Sequence, residues 1–230
     1  MNTDKNILIV GGCGYIGTTT IDFFLGKNYK VTCVDNLIYG QGNTIKKFKK
    51  KKNFTFKKID LRDKKKIEAV LNKNSNILIL AGLVGDPITK KYKRLSNSIN
   101  YIGIKNLILN CKKRKNIKRL VFVSTCSNYG IGKNKLLNEK AKLKPLSFYS
   151  KQKVKIEKFL IKMKKQHFAI TILRFATAFG LSPRMRFDLT INHFTKSFLD
   201  ERILKIYDQK TSRPYCHVLD FARAIDKILS

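Results

Sequence analysis

A doubly wound α/β fold, in which helices cover both faces of a parallel sheet, is what this sequence predicts, and three observations carry the prediction. Short apolar runs alternate with longer segments of helical spacing through the first 125 residues, and one more helix and strand continue the rhythm. The apolar runs are nearly continuous, as strands buried on both faces must be. The first run leads straight into a glycine-rich turn that opens a helical segment.

The strands expected are Asn6–Val10, Lys30–Asp35, Phe54–Asp60, Asn76–Ala81, Arg119–Ser124 and Ala169–Phe175. Each is a short run rich in Ile, Val, Leu or Phe. The helices expected between them are Tyr15–Lys27, Asn43–Lys52, Asp63–Asn72, Thr89–Lys113 and Ser147–Lys165, where apolar residues recur at spacings of three and four. After Gly180 the rhythm breaks at Pro183. A helix near Asp188–Leu199, a strand near Leu204–Tyr207 and a helix from about Val218 follow. This divides the chain into a doubly wound domain over residues 1–180 and the beginning of a smaller C-terminal lobe over 181–230.

The composition narrows the class. With 230 residues and 43% hydrophobic content the chain is long enough to bury a core and too apolar to be disordered. No apolar run approaches the roughly 18 residues of a membrane span, and no signal peptide opens the chain. The five Cys, at 13, 33, 111, 126 and 216, form no CxxC pair. A disulfide framework or a zinc site is therefore not expected, and a reducing cytoplasm is.

Lys and Arg number 49 against 15 Asp and Glu, a formal net charge of +34. Nucleic acid is the obvious partner for such a charge. Yet 39 of the basic residues are Lys, they come with abundant Asn and Ile, and their runs fall on expected helix surfaces and loops. They also lack the interleaved aromatics of a single-strand platform. No specific nucleic-acid partner is expected; a phosphate-bearing metabolite suits the field as well.

The chemistry begins at Gly11-Gly12-Cys13-Gly14-Tyr15-Ile16-Gly17, which fits both GxGxxG and GxxGxxG. Residues without Cβ let backbone approach a pyrophosphate, whose charge then sits at the next helix's N-terminus. The second strand ends at Asp35, eighteen residues after Gly17. A carboxylate there hydrogen-bonds an adenosine ribose and repels a 2′-phosphate, which favours NAD over NADP. Tyr149-Ser150-Lys151-Gln152-Lys153 places a phenol and an ammonium on one helix face. The ammonium is expected to lower the phenol's pKa from about 10, making Tyr149 a base. The same spacing occurs at Tyr101 and Lys105, so context has to separate them. That context is the buried run Val121–Val123, which ends in Ser124 and Thr125 at the carboxyl end of a parallel strand.

The glycine loop, Asp35-Asn36, Asp60-Leu61, Ala81-Gly82, the hydroxyl-rich segment Ser124–Gly130 and the Tyr149/Lys153 pair follow one another as they do in a known family. The chain resembles an extended short-chain dehydrogenase/reductase of the NAD-dependent epimerase/dehydratase group, similar to UDP-glucose 4-epimerase. The resemblance implies a Rossmann fold, NAD as cofactor, and a nucleotide-sugar substrate oxidised transiently at C4. It assigns catalysis to Thr125, Tyr149 and Lys153. It assigns cofactor binding to Gly11, Gly14, Tyr15, Ile16, Gly17, Asp35, Asn36, Asp60, Leu61, Ala81, Gly82, Asn100 and Lys153. Substrate contacts fall to Thr125, Thr177 and Arg213, whose guanidinium would pair with the diphosphate. His217 is read as a packing residue, and no metal is implied.

Several features depart from that pattern. Cys126-Ser127 replace the Asp-Glu pair with which the dTDP-glucose 4,6-dehydratase group removes water. Thr177 replaces the substrate-contacting Asn, and the run Ser182–Asp188 is basic. The chain ends one helix after Arg213-Pro214-Tyr215-Cys216-His217-Val218-Leu219-Asp220, earlier than the family pattern, and reads as a truncated form or one needing a partner chain. An epimerase is expected first; a dehydratase, a 4-keto reductase or an NAD-binding protein without catalysis are the alternatives. The family's two-helix face implies a homodimer through Thr89–Lys113 and Ser147–Lys165, although their many Lys also suit a solvated surface.

Overall fold

The computed structural model describes residues 5–132, 136–163, 165–206 and 212–230. Six parallel strands form the main sheet: β1 (Asn6–Val10), β2 (Lys30–Asp35), β3 (Phe54–Lys58), β4 (Asn76–Ile79), β5 (Arg119–Thr125) and β6 (Ala169–Phe175). Their order is β3-β2-β1-β4-β5-β6, so the chain reverses direction across the sheet between β1 and β4. In such a sheet the crevice outside the strands' carboxyl ends, at the reversal, receives ligands.

The period of two along a strand sends alternate side chains to opposite faces. Ile7 and Ile9 of β1 enter one core, with Phe24 of α1 (Tyr15–Gly26) and Ile225 of α8 (Val218–Leu229). Leu8 and Val10 enter the other, with Leu71 of α2 (Lys64–Leu71), Leu107 of α5 (Ile104–Lys112) and Ile156 of α6 (Phe148–Lys162). All these residues are essentially inaccessible to solvent. Each fully buried aliphatic side chain stabilises the fold by about 1.5–3 kcal/mol relative to exposure. The starts of α2 and α6 are fixed by side-chain caps: Asp63 accepts from the Lys66 N–H at 3.2 Å, and Ser147 accepts from the Ser150 N–H at 3.1 Å.

Three expected elements are corrected. The segment expected as a helix over Asn43–Lys52 is a 3₁₀ helix over Gln41–Phe48. Gly42, Asn43 and Thr44 are poor α formers, and the adjacent lysines repel one another. The single helix expected over Thr89–Lys113 starts earlier and is interrupted. It comprises α3 (Asp86–Lys91), α4 (Lys93–Asn97), a π-helical turn over Ser98–Gly103, and α5. Tyr92, with φ −111° and ψ 54°, leaves the helical region and makes the break.

The third correction concerns the strand expected near Leu204–Tyr207. Residues 204–206 are irregular, and Tyr207 lies outside the described residues. The second sheet is instead built from β7 (Thr177–Phe179) and β8 (Tyr215–His217), paired in parallel with Ala178 opposite Cys216. Helix α7 (Thr190–Glu201) lies between them in sequence. His217 caps α8, its Nδ1 accepting from the Leu219 N–H at 3.3 Å. Phe175 stacks on Phe221 with centroids 3.9 Å apart, joining the end of the main sheet to α8.

Candidate active site

A cavity of about 1340 Å³ opens at the carboxyl ends of the strands, over the reversal between β1 and β4. Its floor is the turn from β1 into α1. Gly11 has φ +85°, and a Cβ there would lie 2.5 Å from Ala81 backbone. A Cβ on Gly17 would lie 2.5 Å from the Gly12 carbonyl oxygen. Those two glycines are required by the fold. Gly14 is different: it lines the cavity, and a Cβ there would meet nothing nearer than 3.5 Å. The N-terminus of α1 has no side-chain cap and no acidic residue in its first turn. Its free N–H groups and partial positive charge therefore suit an anion.

Asp35 sits at the cavity edge with both oxygens engaged. Oδ2 accepts from the Cys13 N–H at 3.0 Å, and Oδ1 from the Leu37 N–H at 2.8 Å. Burial pushes this carboxyl above its ordinary 3.8, opposed by those hydrogen bonds and by the charge of Arg184. Asn36, Leu61, Ile16, Ala81 and Gly82 also line the cavity. Asp60 is not among the lining residues. It binds Arg62 and accepts from Asn36 Nδ2 at 3.2 Å, and Arg62 holds its carboxyl down at about 2.

Asn100 is likewise behind the wall. From the π-helical turn its Oδ1 accepts from the Leu83 N–H at 2.8 Å, while Nδ2 donates to the Leu83 carbonyl at 2.9 Å. It braces the Gly82–Leu83 loop. Tyr15 lines the cavity, but its hydroxyl donates to the Gly180 carbonyl at 2.6 Å and accepts from Asn192 Nδ2 at 3.1 Å. Asn192 in turn accepts from the Gly180 N–H and donates to the Arg186 carbonyl. The phenol thus fastens the loop after β7 to the start of α1.

Thr125, Tyr149 and Lys153 all line this cavity, Thr125 from the last position of β5 and the other two from α6. Thr125 Oγ1 accepts from the Ser127 N–H at 3.2 Å. Lys153 Nζ donates to the Val123 carbonyl at 2.7 Å and lies 5.7 Å from the Tyr149 ring centroid. Burial brings the Lys153 ammonium down to about 8, against the pull of Glu157 one turn further on. Burial also pushes the Tyr149 phenol up to about 12, opposed chiefly by the charge of Arg186. The expectation that Lys153 brings Tyr149 toward neutrality is corrected: desolvation outweighs charge here, and the opposing cation is Arg186.

Thr177, Arg213, Arg184 and Arg186 complete the lining. The Arg184 guanidinium lies 5.3 Å from the Tyr39 ring centroid, and Arg186 pairs with Asp188. Sequence reasoning read Arg184 and Arg186 only as part of the basic run Ser182–Asp188 and gave no role to Asn192, Glu157 or Arg174. For Glu157 a signal existed as well: it is the only acidic residue between Ser147 and Lys165, four positions after Lys153. Among the described residues, no group of three His, Cys, Asp or Glu is placed to hold a metal ion, and no helix is long and apolar enough to cross a membrane.

A parallel sheet reversing over a glycine turn, with a Tyr/Lys helix at the far wall, defines a dinucleotide-binding α/β protein. The model of the NAD dependent epimerase/dehydratase family matches residues 7–230, and the chain belongs to that family. It is 25% identical to a UDP-glucose 4-epimerase of Bacillus subtilis over 97% of this chain and 74% of that protein. A probable UDP-arabinose 4-epimerase of Arabidopsis thaliana is 27% identical over 79% of this chain and 46% of its own length. The chain thus spans about three quarters of the bacterial relative and less than half of the plant one. Among solved structures, a UDP-N-acetylglucosamine 4-epimerase of Methanobrevibacter ruminantium superposes with a TM-score of 0.84 at 28% identity, covering 96% of this chain and 72% of that one. A UDP-glucuronic acid 4-epimerase of Bacillus cereus shares the fold, with a TM-score of 0.86 at 24% identity over 98% of this chain and 73% of its own.

Proposed function

We propose that this protein is an NAD-dependent nucleotide-sugar epimerase that oxidises its substrate transiently at C4. The observation that carries this reading is the convergence of Thr125, Tyr149 and Lys153 with the glycine turn on one cavity. Gly14 supports the cofactor: no packing demand within 3.4 Å explains its missing Cβ, whereas close approach of a pyrophosphate does. Gly11, Gly14, Ile16 and Gly17 would cradle the pyrophosphate, Asp35 the adenosine ribose and Lys153 the nicotinamide ribose. NAD, when bound there, supplies reversible hydride acceptance at the sugar's C4.

Tyr149 takes the proton of the 4-hydroxyl and later returns it, and Thr125 hydrogen-bonds the same oxygen. The charge of Arg186 stabilises the phenolate while it lasts. Arg213, Arg184 and Arg186 give the cavity lining the forked donors that suit a diphosphate. Asp60 and Asn100 act from behind the wall by holding Asn36 and Leu83. Residues 1–180 form the cofactor-binding unit together with α8, which packs Ile225 and Leu229 into the core of β1 and α1, and the segment between them brings Arg184, Arg186 and Arg213 to the cavity for the substrate. Exposed Ile102, Leu109 and Ile161 support a homodimer across the α5/α6 face, and five unpaired cysteines support a reducing, cytoplasmic setting.

The test is incubation with NAD+ and a panel of UDP-, GDP- and dTDP-sugars, with products separated by chromatography and weighed by mass spectrometry. A product of unchanged mass and altered retention is expected. Tyr149→Phe should keep NAD+ binding and lower turnover by roughly 10²- to 10⁴-fold. Loss of one water, or binding without any product, would overturn the reading.

A further inference from the structure

We propose that Glu157 is a positioning residue for this reaction: its buried carboxylate ties the helix bearing Tyr149 and Lys153 to the strand end bearing Thr125, and keeps Lys153 charged. The assignment rests on the function proposed above. Glu157 has no solvent exposure, and its partners come from three different elements. Oε1 accepts from Ser124 Oγ at 2.5 Å at the end of β5, and from Asn128 Nδ2 at 2.7 Å in the 3₁₀ turn that follows Thr125. Oε2 accepts from Arg174 of β6, from Nε at 3.0 Å and from Nη2 at 2.8 Å. One carboxylate thus joins the residue before Thr125 and the 3₁₀ turn after it to the third turn of α6.

The charge placement adds a second role. Lys153 precedes Glu157 by one helical turn and is itself 5% exposed. Facing Lys153 are Tyr149 and Glu157 on its own helix, and the Phe122 ring and Val123 carbonyl from β5. Arg174 from β6 is held on Glu157, and Arg186, Asp86 and the Cys126 thiol act on Tyr149. Glu157 is the carboxylate acting on Lys153, and it opposes the desolvation that drives the ammonium toward its neutral form. An ion pair with Arg174 would by itself account for burying the glutamate. The links to Ser124 and Asn128 and the place one turn from Lys153 are what make it part of the site.

The experiment is a pH titration by NMR of protein labelled at lysine Cε, comparing the parent with Glu157→Gln. The Lys153 resonance is assigned by its loss in Lys153→Met. This reading needs no substrate, so it stands even if no sugar in the panel is turned over. The Lys153 midpoint is expected to fall on substitution by a unit or more, a tenfold change in proton affinity. Because Glu157→Gln leaves the partly buried Arg174 without its partner, Glu157→Gln/Arg174→Met is the second variant, and a smaller shift in the same downward direction is expected, since a cation is removed with the anion. If turnover of a panel sugar is found, its alkaline limb should move down with the midpoint while KM stays within about twofold. A Lys153 midpoint unchanged in whichever variant folds would overturn the proposal and leave Glu157 a partner of Arg174 alone.

Discussion

At the scale of single residues, the site separates glycines by what they avoid. Gly11 and Gly17 avoid their own backbone, whereas Gly14 borders open cavity. Gly14→Ala should therefore fold normally and lose NAD+ affinity, measured by calorimetry, while Gly17→Ala should lose stability as well. Equal thermal destabilisation by the two would remove the distinction. Lys153 makes the converse case. It holds its proton less tightly folded, at about 8, than unfolded, near 10.5. Between those values the unfolded chain binds more protons, so stability climbs as pH rises through that window, and below it the buried charge is a cost. Lys153→Met should thus raise Tm at pH 7 while abolishing turnover; a lowered Tm would contradict this account. The glycine turn, Asp35 and the Tyr149/Lys153 pair were legible because each is a local spacing within one or two elements. The roles of Arg186 and Glu157 were not, since their partners Tyr149, Ser124 and Arg174 lie far along the chain.

At the scale of elements, the cofactor and substrate sides of the cavity are joined through a few polar contacts. Tyr15 and Asn192 fasten α1, α7 and the loop from Gly180 to Arg186 to one another. Asn192→Ala removes that brace without touching the cavity lining. It should weaken nucleotide-sugar binding several-fold and leave NAD+ affinity within about twofold, as titration calorimetry will read. Phe221→Ala would break the stack on Phe175 and cost about 3–5 kcal/mol, measured by urea unfolding. The four inner strands β2, β1, β4 and β5 were readable because burial on both faces imposes continuous apolar runs. The β7–β8 pair was not, since three residues carry no period, and Leu204–Ile206 offered an apolar run without a partner strand. The break at Tyr92 and the π-helical turn were hidden for a related reason. The helical spacing runs through both, and only the bond from Asn100 to Leu83 shows what the turn positions.

At the scale of the whole molecule, a net charge of +34 on 230 residues makes the folded state repel itself. Ion pairs such as Lys27 with Asp226, between α1 and α8, use few of the cations. Raising NaCl from low to physiological strength should therefore raise Tm by several degrees in a calorimetric scan; a flat response would mean the charges are already compensated. The order of the main sheet has a consequence for how the chain is made. Of the strands in this sheet β1 leaves the ribosome before the others yet ends in the middle, and its second neighbour, β4, follows about 70 residues later. At about 5–20 residues per second, that strand waits several seconds with one side unpaired. During translation the nascent chain therefore exposes Ile7–Val10 before the cavity has a far wall, and a chaperone that shields this segment would raise the yield of folded protein.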